Sequence, residues 1–225
     1  NVDVILGGGE DRWLPAATAG AYPDKPAEDT EEASSGDQGD LIAVAQSLGY
    51  QYISDAAGLQ SATGPKLLGL FANEEMFQQR AEGDGDIYNP VVNLNDMVSK
   101  AIEILSQNPA GFLLFVEEEA IDEFSHNNNA TYALKGVQEL DTAVRTALDY
   151  ATQSGDTLLV VTADHECGGL TIEGLDDDQG TVADGPFSVA GSGYQFKVDW
   201  KTQGHTGVRV PLTAFGPGSE LFAGC

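Results

Sequence analysis

Each of the three histidines in these 225 residues sits where it could hold a metal ion. They fall in Asp122-Glu123-Phe124-Ser125-His126, in Asp164-His165 and in Gly204-His205-Thr206-Gly207. Imidazole nitrogen and carboxylate oxygen together form the donor set of a hydrolytic zinc centre. One such pairing would mean little. Every histidine of a histidine-poor chain in such a setting points to a metal centre.

Asp122 and His126 are four residues apart, so on a helix they share a face and can grip one ion. The plainer reading is a solvated helix start with an incidental histidine. Adjacent Asp164 and His165 cannot share a helical face. At a strand end the following turn can still re-aim them, and Gly168-Gly169 permits such a turn. His205 lies in a glycine-flanked loop that allows close approach. Glu117, Glu118 and Glu119 follow an apolar run, where three carboxylates are costly without a cation or donors. A hard ion such as magnesium would suit Glu117, whereas Glu118 and Glu119 also read as exposed loop acids. Cys167, two residues beyond His165, reads as a small buried filler rather than a ligand. Cys225 closes the sequence and could pair with a residue outside it. Gly7-Gly8-Gly9 lacks the lysine and spacing of a nucleotide loop and reads as a backbone turn.

Elements to position these groups are written in the pattern. Val2–Leu6 has the form of a buried strand, and Gln51–Ile53 and Lys66–Phe71 of short strands. Asp40 can cap a helix over Leu41–Leu48 that Gly49 ends. Val92–Gln107 is helical, with Met97, Ala101, Ile102 and Leu105 on one face. Phe112–Val116 and Thr157–Thr162 are continuous apolar strands. Ala130–Tyr150 is a long helix with Leu134, Val137, Leu140, Val144 and Leu148 on its buried side. Further strands are expected near Gln195–Trp200 and Arg209–Phe215. Residues 14–40 form an acidic loop excursion. Helices between non-alternating strands imply an α/β fold with a mostly parallel central sheet and helices on both faces. In such sheets, sites lie beyond the carboxyl ends of the strands. Asp122 follows one strand and Asp164-His165 another, so both groups are expected at one sheet edge.

Thirty-six acids against ten bases give a net charge of −26. Such a surface repels nucleic acid and anionic membranes. It suits a salt-adapted, halophilic surface or a cation binder. No stretch approaches the ~18 apolar residues of a membrane span. The start at Asn1 carries no signal-peptide pattern. No acid cluster has full calcium-loop spacing, and Glu82–Asp86 and Asp176–Asp178 read as turns.

Taken together, these residues resemble the alkaline phosphatases. Val116-Glu117-Glu118-Glu119-Ala120-Ile121-Asp122-Glu123-Phe124-Ser125-His126 resembles the family segment that supplies one magnesium and two zinc ligands. Val161-Thr162-Ala163-Asp164-His165 is similar to its second zinc segment, and Gly204-His205-Thr206-Gly207 to its late zinc ligand. Leu6-Gly7-Gly8-Gly9, Leu67-Leu68-Gly69-Leu70-Phe71 and Gly216-Pro217-Gly218 also match, in the family's order, along the whole chain.

The resemblance implies that Asp122, His126 and His205 hold a first zinc. Asp164 and His165 supply part of a second zinc site, and Glu117 binds magnesium. It implies hydrolysis of phosphate monoesters through a phosphoserine, in a homodimeric parent of periplasmic or extracellular location. The family's nucleophilic serine, its bridging N-terminal aspartate and its phosphate-clamping arginine have no match here. Ser34, Ser35, Ser61 and Ser125 lack the required context. Residues 1–225 are therefore expected to form a partial catalytic domain, the C-terminal part of a longer enzyme, inactive alone. Glu123 is an acid where the family often carries Lys, His or Trp near phosphate. A stand-alone cation-binding protein, or a mutase or sulfatase of the same superfamily, would use similar ligands.

Overall fold

Leu67–Leu70 is apolar without alternation, and it becomes the central strand of a parallel sheet. The computed structural model describes residues 2–22, 33–77, 87–175 and 183–224. The chain forms two units, Asn1–Glu117 and Glu118–Cys225. In the first, β1 (Val4–Gly7), β2 (Gln51–Ile53) and β3 (Leu67–Leu70) make a parallel sheet with β3 in the middle. All four residues of β3 are buried, as a doubly covered strand requires. The fold class is α/β. The helices are α1 (Glu10–Trp13), α2 (Leu41–Ser47), α3 (Ala56–Ser61) and α4 (Leu94–Leu105). Leu68 and Leu70 pack in a core with Leu14, Ile42 and Ala45.

Local chemistry sets the helix starts. The Asp40 side chain accepts from the Ala43 N–H at 2.9 Å, and Asp55 from the Gly58 N–H at 2.6 Å. These are side-chain caps on otherwise unsatisfied donors. Gly7-Gly8-Gly9 is the expected turn, with Gly9 at φ 80° leading into α1. Glu10 is buried and accepts from the N–H groups of Ala21 and Tyr22 and from the Tyr52 hydroxyl, at 2.9, 2.8 and 2.8 Å. Burial and then the Glu10 carboxylate push the Tyr52 phenol well above its ordinary value.

Two expectations in this unit need correction. The buried stripe of α4 runs through Met97, Val98, Ala101 and Ile104, and Ile102 and Leu105 lie at its margin. Phe112–Val116 is not a strand; residues 111–118 carry no regular structure, and Leu113 and Phe115 are 91% and 83% exposed. An apolar run becomes a strand only when a neighbour takes its backbone groups. Residues 112–116 pair with none of the described strands.

The second unit holds α5 (Ala120–His126) and α6 (Ala130–Ser154). Its strands are β4 (Leu159–Thr162), β5 (Glu166–Cys167), β6 (Thr171–Glu173), β7 (Ala183–Ser188), β8 (Gln195–Asp199), β9 (His205–Thr206) and β10 (Leu212–Phe215). A 3-10 turn, Ser219–Phe222, follows. The pairings here are antiparallel: β10 with β4, β5 with β9, and β6 and β7 on either side of β8. The apolar run ending at Thr162 is open on one side, with Leu158 and Val160 exposed. Asn129 caps α6 on the Tyr132 N–H at 3.2 Å. Asp184 accepts from the Ala130 N–H at 2.8 Å and from the Trp200 indole at 3.3 Å.

The buried side of α6 also departs from expectation. It carries Ala130, Ala133, Gly136, Ala143 and Ala151, while Val137 is exposed and Leu134, Leu140, Val144 and Leu148 are half-buried. Small residues let α5 approach closely. A Cβ on Gly136 would stand 3.0 Å from the Ile121 side chain and 3.3 Å from its backbone nitrogen. The turn-like acid clusters at residues 82–86 and 176–178, residues 23–32 of the 14–40 excursion, and Cys225 lie outside the described residues.

Gly136→Val should overpack the α5–α6 contact. The expected loss is about 1–3 kcal/mol, read as a lower urea midpoint, with weaker metal uptake because α5 carries Asp122 and His126. An unchanged midpoint would show that the contact yields freely.

Candidate metal centre

One turn of α5 places Asp122 and His126 on the same face, with His126 Nε2 3.2 Å from Asp122 Oδ2. The other ring nitrogen, Nδ1, lies 2.5 Å from the Gln203 carbonyl oxygen. A carbonyl only accepts, so Nδ1 carries a proton and Nε2 is the nitrogen turned toward the carboxylate. This is how metal-binding histidines are usually oriented. The Asn128 side chain binds the same loop, donating to the Thr202 carbonyl at 2.8 Å and to the Ser125 carbonyl at 3.1 Å.

The antiparallel pair of β5 and β9 brings in the other groups. Cys167 lies directly opposite His205, and Glu166 opposite Thr206. The Thr206 hydroxyl donates to the Glu166 carboxylate, closing the pair. His205 Nε2 reaches 3.4 Å from Asp122 Oδ1 and 3.0 Å from His126 Nε2. His165, just before β5, stacks on His205 with ring centroids 3.5 Å apart, and its Nδ1 is 3.8 Å from Asp122 Oδ1. The turn after β5 depends on Gly168. Its φ is +83°, and a Cβ there would lie 2.5 Å from the buried Trp200 ring.

Three imidazoles thus surround one carboxylate. Burial pushes the Asp122 carboxyl up, but the nearby Cys167 thiol and His126, His205 and His165 outweigh it, and the group is held below the usual value. His126 is raised, chiefly by its bond to the Gln203 carbonyl and then by the charges of Asp122 and Glu123. Burial, and then the neighbouring Asp122, push the Cys167 thiol up to about 12. The buried atoms Asp122 Oδ1 and His165 Nδ1 find no hydrogen-bond partner among the described residues. Buried polar atoms without partners are rare. Together with two facing imidazole nitrogens, they fit a cation of the zinc type.

The expected residues divide as follows. Asp122, His126, His165 and His205 converge. Asp164 contacts His165 at 3.3 Å, yet its side chain is 85% exposed. Glu117 is exposed and belongs to the first unit. Cys167, expected as a buried filler, is only half-buried, and its Sγ lies within 4.8 Å of ligating atoms of Asp122, His126 and His205. The pattern His165-Glu166-Cys167 carried that signal, because alternate residues of a strand share a face. The Gln203 carbonyl had no signal in the sequence.

Imidazole and carboxylate converging on one point form the donor set of a metal centre. The alkaline phosphatase family model matches residues 1–191, and the chain belongs to that family. It is 34% identical over 242 residues to the alkaline phosphatase of Escherichia coli K12, covering 96% of this chain and 48% of that one. Among solved structures, alkaline phosphatase from the Antarctic bacterium TAB5 aligns with a TM-score of 0.72 at 27% identity, over 98% of this chain and 55% of that one. A histidine-to-glutamate variant of that enzyme with magnesium bound aligns with a TM-score of 0.67 at 26% identity, over 98% and 56%. The chain spans about half the length of the curated relatives it matches.

The pKa directions give opposite pH limbs for the metal-free protein. His126, raised above 6.5, stabilises the fold fully below that value and loses its contribution as pH rises through the raised one. Asp122, lowered from 3.8, contributes above that value and loses it as pH falls through the depressed one. With metal chelated, stability should fall as pH rises above about 6.5 more steeply than in His126→Gln. Parallel urea-midpoint profiles for the two proteins would contradict this.

Proposed function

We propose that this chain carries the metal-binding part of a phosphate monoester hydrolase, with Asp122, His126 and His205 holding a first zinc. Asp164 and His165 would contribute to a second zinc, and Glu117 to magnesium. The convergence of three histidines on Asp122 carries this reading; family membership and the magnesium-bound relative support it. Metals held there would polarise phosphoryl oxygens and lower the pKa of a bound water. They would also answer the electrostatics, since a chain of net charge −26 attracts an anionic ester only where local cations reverse the field.

This chain's own residues orient and shield. Gln203 fixes the His126 tautomer, and the β5–β9 pair holds His205 against Asp122. Glu123 stands beside His126 as an added negative charge, which weakens phosphate binding or draws a further cation. The nucleophile of the family's phosphoserine route lies outside these residues. Ser125 is buried with its hydroxyl donating to the Ile121 carbonyl at 2.6 Å, and Ser34, Ser35 and Ser61 are engaged with Thr18, Arg12 and Gly58. Residues 1–225 thus read as a partial catalytic domain, with 14–40 as an excursion within it. The parent would be a homodimer in the periplasm or outside the cell, acting on phosphate monoesters and binding neither nucleic acid nor membrane. No helix among the described residues is long and apolar enough to cross a membrane.

The isolated chain should bind zinc by calorimetry, and His126→Ala should weaken it by about 100-fold or more. It should not turn over p-nitrophenyl phosphate. Absence of zinc binding would sink the metal centre. Hydrolysis lost in His126→Ala would overturn the assignment of the nucleophile elsewhere.

The acid excess further suggests a salt-adapted surface. The thermal midpoint should rise from low to molar salt as carboxylate repulsion is screened. No change would remove the halophilic reading.

A further inference from the structure

The second unit brings one ligating atom more than the Asp-His-His set requires. Cys167 Sγ lies with a carboxylate oxygen of Asp122 and ring nitrogens of His126 and His205 in a group whose members are all within 4.8 Å of one another. Its position is built, not incidental. The β5–β9 register sets Cys167 directly across from His205, and opposed residues on one sheet face have Cβ atoms about 4.5–5.5 Å apart. The next residue, Gly168, turns the chain at φ +83° under the Trp200 ring, with its N–H donating to the Gly204 carbonyl at 3.1 Å. Sγ also sits 3.7 Å from the Asp122 carbonyl oxygen, which ties it to the start of α5.

We propose that Cys167 is a fourth protein ligand of the ion held by Asp122, His126 and His205. This rests on the metal-centre reading above. As the metal–sulfur bond forms, the thiol proton passes to solvent, so the step needs no oxidant or reductant. Three protein ligands leave a position open for substrate, and zinc with four can still take a fifth. The centre in this chain would therefore be an oxygen–nitrogen–sulfur site that still admits a water or a phosphoryl oxygen as a fifth ligand. A thiolate also changes which ion is preferred. Soft sulfur favours zinc, cobalt and cadmium over magnesium, which prefers oxygen. Replacing Cys167 by an oxygen-bearing side chain would lower the discrimination of the site against hard ions.

The test is cobalt(II) substitution of the 225-residue chain, read by absorption. Cys225→Ser, Cys167→Ser and the double variant are run beside the unaltered protein. Bound cobalt should show visible bands of a four-coordinate ion and an intense near-ultraviolet sulfur-to-cobalt charge-transfer band. That band should persist in Cys225→Ser and vanish in Cys167→Ser, and Cys167→Ser should bind zinc at least about 10-fold more weakly. A measurement on Cys225→Ser alone guards against a Cys167 variant that fails to fold: stoichiometric zinc should protect its remaining thiol from alkylation. Visible cobalt bands without the charge-transfer band, or a thiol alkylated equally fast with zinc, would overturn ligation by Cys167 and leave the Asp-His-His centre standing. No cobalt or zinc uptake at all would overturn both.

Discussion

Two imidazole nitrogens face each other at 3.0 Å beside a carboxylate, a contact that calls for a proton between the rings or an ion among them. His126 has committed its Nδ1 proton to the Gln203 carbonyl. With both rings neutral, its Nε2 accepts from the His205 Nε2–H, and the Gln203 carbonyl with the charges of Asp122 and Glu123 raises its affinity for a second proton. A divalent ion would take the place of that proton, with both nitrogens and the carboxylate donating to it. Proton and metal would thus compete for one place. The second unit is organised around that place.

Holding these groups together takes two kinds of support. The first is close approach of backbone to backbone: Ala and Gly along α6 admit α5, and the bare Cα of Gly168 admits the Trp200 ring. The second is capping of polar ends: Asp184 joins the start of α6 to Trp200, and Asn128 joins the end of α5 to the loop before His205. In the first unit Glu10 does comparable work, gathering two backbone donors and a phenol at a buried carboxylate. Each support is a small region where burial is tolerated because every polar partner is close.

Much of this was legible in the residues. The Asp122–His126 spacing, the Asp40 cap and the apolar run of β3 depend on neighbours in sequence, and the structure reproduces them. What misled were segments whose fate depends on distant partners. Phe112–Val116 has strand composition, yet forms no ladder among the described residues. On α6, the large apolar residues suggested the buried face, but tight packing against α5 selected alanine and glycine instead. Cys167 looked like filler because its role depends on pairing with His205, thirty-eight positions on by the chain numbering. The Gln203 contact was invisible in principle, since every residue type offers a carbonyl.

The group that sets the His126 tautomer belongs to the main chain, so no substitution at position 203 deletes it. Side chains there are free to wander, and a comparison of sequences would rate the position as dispensable. Only a change in loop length or path between Trp200 and His205 would disturb the centre by this route. The vulnerability of the site lies there in insertions and deletions rather than in point changes.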